Sequence, residues 1–259
     1  MTSIEVKGLV IRTTDIKESD RLITIFTEEL GVVSAMAKSA RSLKSRKMST
    51  TMQFCYGSFV LLKRDEYYWI KECSLIESFF GIRNSIEGLA LASYIAEVLN
   101  DVTVAEAERD LLRLSLNSLY AISENKYSLK KIKAAFEIRA ASILGFMPDV
   151  VSCRQCGEKM GDFLFDIMGG SIICYNCNLK NAEMHKEPEN PHESSIICRL
   201  SEGAKYAIGY CIYSPLEKIF SFRISEDDMD LLSRATEDYL LNQLERSFKS
   251  LDFYNEVKR

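Results

Sequence analysis

Asp20–Ser39 reads DRLITIFTEELGVVSAMAKS, two runs rich in β-branched and aromatic residues that meet at Leu30, with Gly31 able to supply a turn or bulge. Partial alternation of apolar and polar residues marks each run as a half-buried strand. Working outward, Ile4–Thr14 (IEVKGLVIRTT), Phe54–Arg64 (FCYGSFVLLKR) and Tyr67–Phe79 (YYWIKECSLIESF) have the same character, and Gly57 offers a second turn or bulge. Five short strands in about 80 residues, with few helical patterns between them, predict a small Greek-key barrel of the OB type. An SH3-like barrel fits nearly as well, and periodicity does not separate the two.

From about residue 82 the period changes to that of helices. Ser85–Leu99 is apolar nearly all round, as in a helix buried inside a bundle, and Ala105–Ile122 is amphipathic. Ser128 is placed to cap a helix through Leu144 with Leu129, Ile132, Phe136, Ala140 and Ile143 on one face, ended by Gly145 and Pro148. Ser225-Glu-Asp-Asp228 opens a helix of about 20 residues, with Leu232, Tyr239, Leu244, Phe248 and Leu251 facing the core. Asn178–Ser195, the most polar stretch, holds both histidines, His185 and His192, and reads as a loop. The expectation is an α+β chain: an OB-fold barrel over residues 1–80, then an α-helical domain over 81–259 with an inserted four-cysteine element at about 150–180.

The chain has 259 residues, 47% hydrophobic and 27% charged, with four prolines, the proportions of a folded soluble protein. No apolar run approaches the roughly 18 residues of a membrane span, and the opening MTSIEVKGLVIRTTD meets charge within five residues. A cytoplasmic chain without a membrane partner is expected. Eight cysteines in a reducing compartment point to metal binding where they are paired closely. Cys55, Cys73, Cys198 and Cys211 stand singly among apolar residues and read as buried, inert thiols.

The paired cysteines carry chemistry. Cys153-Arg-Gln-Cys156 and Cys174-Tyr-Asn-Cys177 stand seventeen residues apart, within the spacing of a four-thiolate zinc site. Two intervening residues let one tight turn aim both sulfurs at a single ion. Gly157 and Asn178 tolerate the positive φ such turns require, and FLFDIMGGSII reads as a hairpin joining the turns. Four thiolates complete a tetrahedral shell around one structural Zn2+ and leave no position for catalytic water. No G-x-x-x-x-G-K-[ST] or G-x-G-x-x-G cradles a phosphate, and no nucleophile signature accompanies the histidines. An enzyme acting on a small-molecule substrate has little support.

Lys38–Lys47, KSARSLKSRK, gathers five basic residues without an acid between the third and fourth strand-like runs. Most charge runs are solvated loops. This one lies on the barrel of a chain whose first 80 residues carry twelve Lys or Arg against ten Asp or Glu, a balance of +2 that leaves −6 for the rest of a chain of net −4. A basic groove beside a small β-barrel tracks a nucleic-acid backbone, and Lys63, Arg64 and Lys71 with Tyr67, Tyr68 and Trp69 add cations and stacking partners. Alternation sets Tyr67 and Trp69 on one face and Tyr68 on the other. Backbone contact without strong sequence preference is expected.

GLVIRTTDIKESDRLITIFTEELGVVSAMAKSARSLKSR, ALASYIAEVL, FEIRAASILGFMPDVVSCRQCG and LERSFKSLDFY, in this order, resemble the bacterial recombination mediator family RecO over nearly the whole chain. The resemblance implies an OB barrel, a helical domain with a zinc element, and no catalytic activity. It implies binding of single- and double-stranded DNA, annealing of complementary strands, and loading of RecA with RecR on strands covered by single-strand-binding protein (SSB), whose C-terminal tail is a further partner. Carried over by position, Lys38, Arg41, Lys44, Arg46 and Lys47 are DNA contacts and Cys153, Cys156, Cys174 and Cys177 are zinc ligands. The sequence departs from the family at Ser39, where glycine is frequent, and in TMQFCY, which lacks a proline before the phenylalanine. Two other readings compete. A regulator touching nucleic acid with a zinc ribbon requires basic residues around the box, where Glu158, Asp162 and Asp166 oppose Arg154, Lys159 and Lys180. A thiol-redox enzyme requires a reactive thiolate and no stoichiometric zinc.

Overall fold

The computed structural model describes residues 3–42, 44–64, 67–102, 108–184 and 196–258. Five strands, β1 (Ser3–Ile16), β2 (Asp20–Thr27), β3 (Gly31–Ala37), β4 (Tyr56–Arg64) and β5 (Tyr67–Glu77), close a barrel in the order β1-β2-β3-β5-β4. This OB-type closure decides between the two barrels that periodicity left open. β3 shows the cause most plainly, its residues alternating strictly between buried and half-buried positions. Val6, Val10, Ile23, Ile25, Val33, Ala35, Phe59, Leu61 and Ile70 form the interior. Each of the larger side chains contributes about 1.5–3 kcal/mol by leaving water. The register of β1 on β2 shifts between Val10 and Arg12, a bulge that bends a long strand around the barrel. β3 and β5 run parallel and pair only at Ala35–Tyr68 and Met36–Trp69, the narrow seam of the closure.

The helices are α1 (Ile86–Asp101), α2 (Glu108–Ser123), α3 (Leu129–Ile143), α4 (Tyr175–Met184), α5 (Glu202–Tyr213), α6 (Glu226–Leu244) and α7 (Lys249–Val257). β6 (Phe163–Asp166) lies between β7 (Ser171–Cys174) and β8 (Ile197–Leu200) in a small sheet. The division expected at residue 80 follows the change of period along the chain. Compactness groups the elements otherwise: residues 1–129 with 248–259 form one unit and residues 130–247 another.

In the first unit Ser85 caps α1, its Oγ accepting from Gly88 N at 2.9 Å. α1 is buried from Ala90 to Leu99 except at the half-buried Ser93 and Glu97, while Ile86 and Leu89 in its first turn stay exposed. α7 packs on α1, the Tyr94 and Phe248 rings meeting edge-on at 5.6 Å and Ser250 N donating to Glu97 at 3.0 Å. Residues 103–107 of the expected amphipathic helix lie outside the described residues.

In the second unit α3 is buried on every side from Ile132 to Ile138, not on one face as expected. Its Lys133 and Glu137 are fully buried and paired with each other, and Lys133 pairs also with Glu237 of α6. α3 ends at Gly145 (φ 95), where Phe146 N reaches back to Ala141 O at 2.8 Å. The carbonyl of Cys211 near the end of α5 lacks an intrahelical donor because residue 215 is proline; Arg139 Nη1 donates to it at 3.2 Å.

Two further expectations are corrected. α6 stops at Leu244 because Glu245 turns left-handed (φ 52), so the buried Phe248 precedes α7 and the buried Leu251 lies within it, in the other unit. Asn178 is helical, since Tyr175–Met184 forms α4 where a loop was expected. The rest of that stretch, with His185 and His192, lies outside the described residues. Among the described residues, no helix is long and apolar enough to cross a membrane.

Candidate nucleic-acid interface and candidate metal centre

The connection from β3 to β4 is a succession of tight turns, Ser42 N to Ser39 O, Ser45 N to Ser42 O and Met48 N to Ser45 O. Ala40, Thr50 and Thr51, all buried, fasten it to the barrel, so its charges are held in place. Ser39 adopts φ 55, a left-handed conformation that glycine takes without steric cost. Two hydrogen bonds hold this corner to the β1–β2 turn: Ser39 N donates to Asp20 Oδ1 at 2.8 Å and Arg41 N to Ser19 O at 2.9 Å.

The five basic residues divide by what they touch. Arg41 Nε stands 3.3 Å from Asp15 Oδ2, and its Nη1 reaches the carbonyls of Lys17 and Glu18. Lys47 Nζ donates to Ile70 O at 2.6 Å, drawing the segment alongside β5. These two are committed to holding the connection. Lys38, Lys44 and Arg46 are exposed, and among the described residues no hydrogen bond or ion pair engages their side chains. Their charge is open to a ligand. Asp15, which also accepts from Arg21 Nε at 3.0 Å, is the organiser that sequence reading passed over, since its Arg41 partner is distant along the chain.

Along β5 the alternation holds. Tyr68 packs against the barrel interior, while Tyr67 is 50% exposed and Trp69 lies beneath Arg64, whose guanidinium is 5.7 Å from the ring centroid. Lys71 continues this outer face and pairs loosely with Glu72 at 3.7 Å. An outward track of Tyr67, Trp69 and Lys71 therefore leads from the β4–β5 turn towards the basic connection.

The hairpin of the cysteine box folds as expected, whereas the second C-x-x-C lies where β7 passes into α4. β6 and β7 pair from Phe163–Cys174 to Asp166–Ser171, bringing the two C-x-x-C turns together. Gly157 takes φ 78, and its N–H donates to Cys153 O at 2.9 Å, closing the first turn. The second turn runs straight into α4, so Asn178 is not the positive-φ residue that was expected. The Sγ atoms of Cys153, Cys156, Cys174 and Cys177 all lie within 4.8 Å of one another, with Cys156 and Cys174 at 3.7 Å. Four sulfurs each about 2.3 Å from one ion have edges of about 3.8 Å, so this donor set fits a single tetrahedral metal. Burial pushes the Cys153 thiol up, but backbone N–H groups of Cys174, Cys156 and Gln155 outweigh it and bring it down to about 6. Hydrogen bonding to Cys156, then burial, then Cys174 and Cys153 hold the Cys177 thiol up at about 12. Thiols this close do not all ionise without a cation among them.

Around the box, Arg154 Nη1 donates to Asp166 Oδ2 at 2.6 Å and Arg199 to Asp162 at 2.8 Å. Of the solitary cysteines, Cys55 and Cys211 are buried as expected, whereas Cys73 and Cys198 are only half-buried. Burial raises the thiols of Cys55 and Cys73, and pushes Cys198 to about 11 and Cys211 to about 12.

Comparison with known proteins covers nearly the whole chain. The family model described as recombination protein O N terminal covers residues 1–79, and recombination protein O C terminal covers residues 83–252. DNA repair protein RecO of Acetivibrio thermocellus is 35% identical over 263 residues, spanning 100% of this chain and 99% of the relative. The protein of the same name from Caldicellulosiruptor saccharolyticus is 28% identical over 260 residues and 100% of each chain. That of Clostridium kluyveri is 36% identical over 184 residues, 69% of this chain and 70% of the relative. Two family models that together cover nearly the whole chain, and a full-length relative at this identity, establish that the chain belongs to the recombination protein O family.

Proposed function

We propose that this chain binds single- and double-stranded DNA on the outer face of its barrel and anneals complementary strands, acting in DNA repair. With RecR it would help to load RecA onto strands covered by SSB, engaging the C-terminal tail of that protein, in the cytoplasm at the nucleoid. The observation that carries the reading is the exposed set Lys38, Lys44 and Arg46, unengaged among the described residues, on a connection fastened to an OB-type barrel. Physically, annealing requires two phosphate backbones to approach. Fixed cations displace condensed counterions and lower that repulsion while leaving base edges free to pair. No reacting group is needed, and the protein acts without catalysis.

The four thiolates would hold one structural Zn2+, which stabilises the element that bears them and supplies no open coordination position. Cys153, Cys174 and Cys177 are nearly buried, which keeps such an ion from solvent.

The test is annealing of complementary labelled oligonucleotides coated with SSB, with wild type beside the triple variant Lys38→Gln, Lys44→Gln, Arg46→Gln. Arg41 and Lys47 are left intact because the barrel uses them. Wild type should anneal rapidly. The variant should bind single strands more weakly, with the slope of log affinity against log salt reduced by about 2, at roughly 0.7 for each phosphate that is no longer neutralised. Equal affinity and equal slope in the two proteins would refute the assignment of the interface.

A further inference from the structure

We infer that Tyr67 is a base-stacking residue that makes the barrel favour single strands over duplex. The inference rests on the DNA-binding reading above and deepens it, from contact with phosphates to contact with unpaired bases.

Three neighbouring aromatic residues start β5, and the fold gives each a different task. Tyr68 points inward and packs on the barrel interior. Trp69 is half-buried and carries the Arg64 guanidinium over its ring. Tyr67 is left: half its surface is open, and among the described residues neither its ring nor its hydroxyl has a partner. An aromatic residue at a strand start can serve the sheet by pairing across it. Arg64 is the register partner of Tyr67, but its guanidinium is placed over Trp69, so that use is already taken by the neighbouring ring.

Position supplies the second argument. Lys47 is anchored to Ile70, three residues beyond Tyr67, so the basic connection meets β5 about 10 Å along the strand from Tyr67 at 3.3 Å per residue. Lys71 follows one residue beyond that anchor and continues the outer face of Tyr67 and Trp69. A strand whose phosphates lie on Lys38, Lys44 and Arg46 can thus lay a base on Tyr67. Every base has a π-face, so the contact is tolerant of sequence; a duplex keeps its bases stacked inside and cannot offer one. The outer face of the barrel therefore discriminates single strand from double by an aromatic ring, while its cations serve both.

The experiment measures, by fluorescence anisotropy, binding of the full chain and of Tyr67→Ala, Tyr67→Phe and the Lys38, Lys44, Arg46 triple variant. The probes are a labelled thymidine 20-mer, an abasic strand of equal length and a hairpin duplex. Tyr67→Ala should weaken binding to the thymidine strand by roughly 5- to 150-fold, the range for removing one stacked base, with an unchanged salt slope. Its affinity for the abasic strand and the duplex should equal that of wild type, and Tyr67→Phe should restore the thymidine affinity. Unaltered thymidine binding by Tyr67→Ala, or an equal loss on all three probes, overturns the inference. If the triple variant alone loses affinity, the interface stands and only the stacking role falls; if wild type binds no probe, both fall.

Discussion

Replacing Lys133 by methionine should be among the most damaging single changes in the second unit, although nothing exposed is altered. Lys133 is fully buried, with Nζ 2.8 Å from Glu137 Oε1 and 2.7 Å from Glu237 Oε2. Glu137, also fully buried, accepts in addition from Thr236 Oγ1 at 2.9 Å. Methionine fills similar space but leaves Glu137 as an uncompensated charge, which costs about 3–5 kcal/mol. Glu237 suffers less, because its side chain is 22% exposed and reaches water. A loss of this size lowers the melting temperature by about 10 °C or more.

The same structure predicts a rescue. Lys133→Met with Glu137→Gln removes both buried charges and keeps an acceptor for Thr236, so it should return to within about 1 kcal/mol of wild type. pH supplies an independent check. Burial raises Glu137 above its ordinary value despite the attraction of Lys133, so its folded value exceeds the unfolded one. Its favourable contribution is full below the unfolded value and is lost as pH rises through the folded one. In Lys133→Met that loss should be deeper, and the variant should approach wild type at pH 5. Lys133 itself is raised above 10.5 by its two carboxylates against the opposing effect of burial, and its contribution is retained throughout the neutral range. The assay is urea unfolding followed by circular dichroism at pH 5 and 7.5. A single variant within about 1 kcal/mol of wild type at pH 7.5, or a double variant no better than the single, would refute the reasoning.

Three other outcomes are expected. Ser39→Gly should raise stability by about 0.5–1 kcal/mol, since relief of a left-handed residue (φ 55) exceeds the entropy that glycine adds to the unfolded chain, and a fall in the urea midpoint would contradict it. Asp228 accepts from Ser201 and Ser225, the capping residues of α5 and α6, at 2.6 and 2.7 Å, and these bonds hold its carboxyl below the ordinary value of 3.8. Its contribution is present above 3.8 and lost as pH falls through the folded value; Asp228→Asn should cost about 1 kcal/mol at neutral pH and flatten the acid limb of a stability–pH profile. Chelation of the metal, or Cys174→Ser, should lower the melting temperature of the second unit at chelator levels that leave DNA affinity unchanged, and normal melting with no bound metal would count against the centre.

What the sequence determined is what local periodicity and spacing determine. β3 alternates because side chains of a strand point to opposite faces, and the same rule separated Tyr68 from Tyr67 and Trp69. Two C-x-x-C turns and a hairpin between them are short-range features, so the four sulfurs could be brought together on paper before any fold was known. The end of α6 was not legible, because the apolar spacing continues through Phe248 and Leu251 while a left-handed Glu245 divides the helices. Nor could sequence show that α3 hides a lysine and a glutamate: charged residues read as a solvent face until a partner from a distant helix surrounds them. The basic run is the clearest case. Five cations look alike along the chain, yet Asp15 and the carbonyls of Lys17, Glu18 and Ile70 take up Arg41 and Lys47, leaving Lys38, Lys44 and Arg46 open. Charge is a property of the residue, but its availability depends on neighbours that only the folded chain brings near.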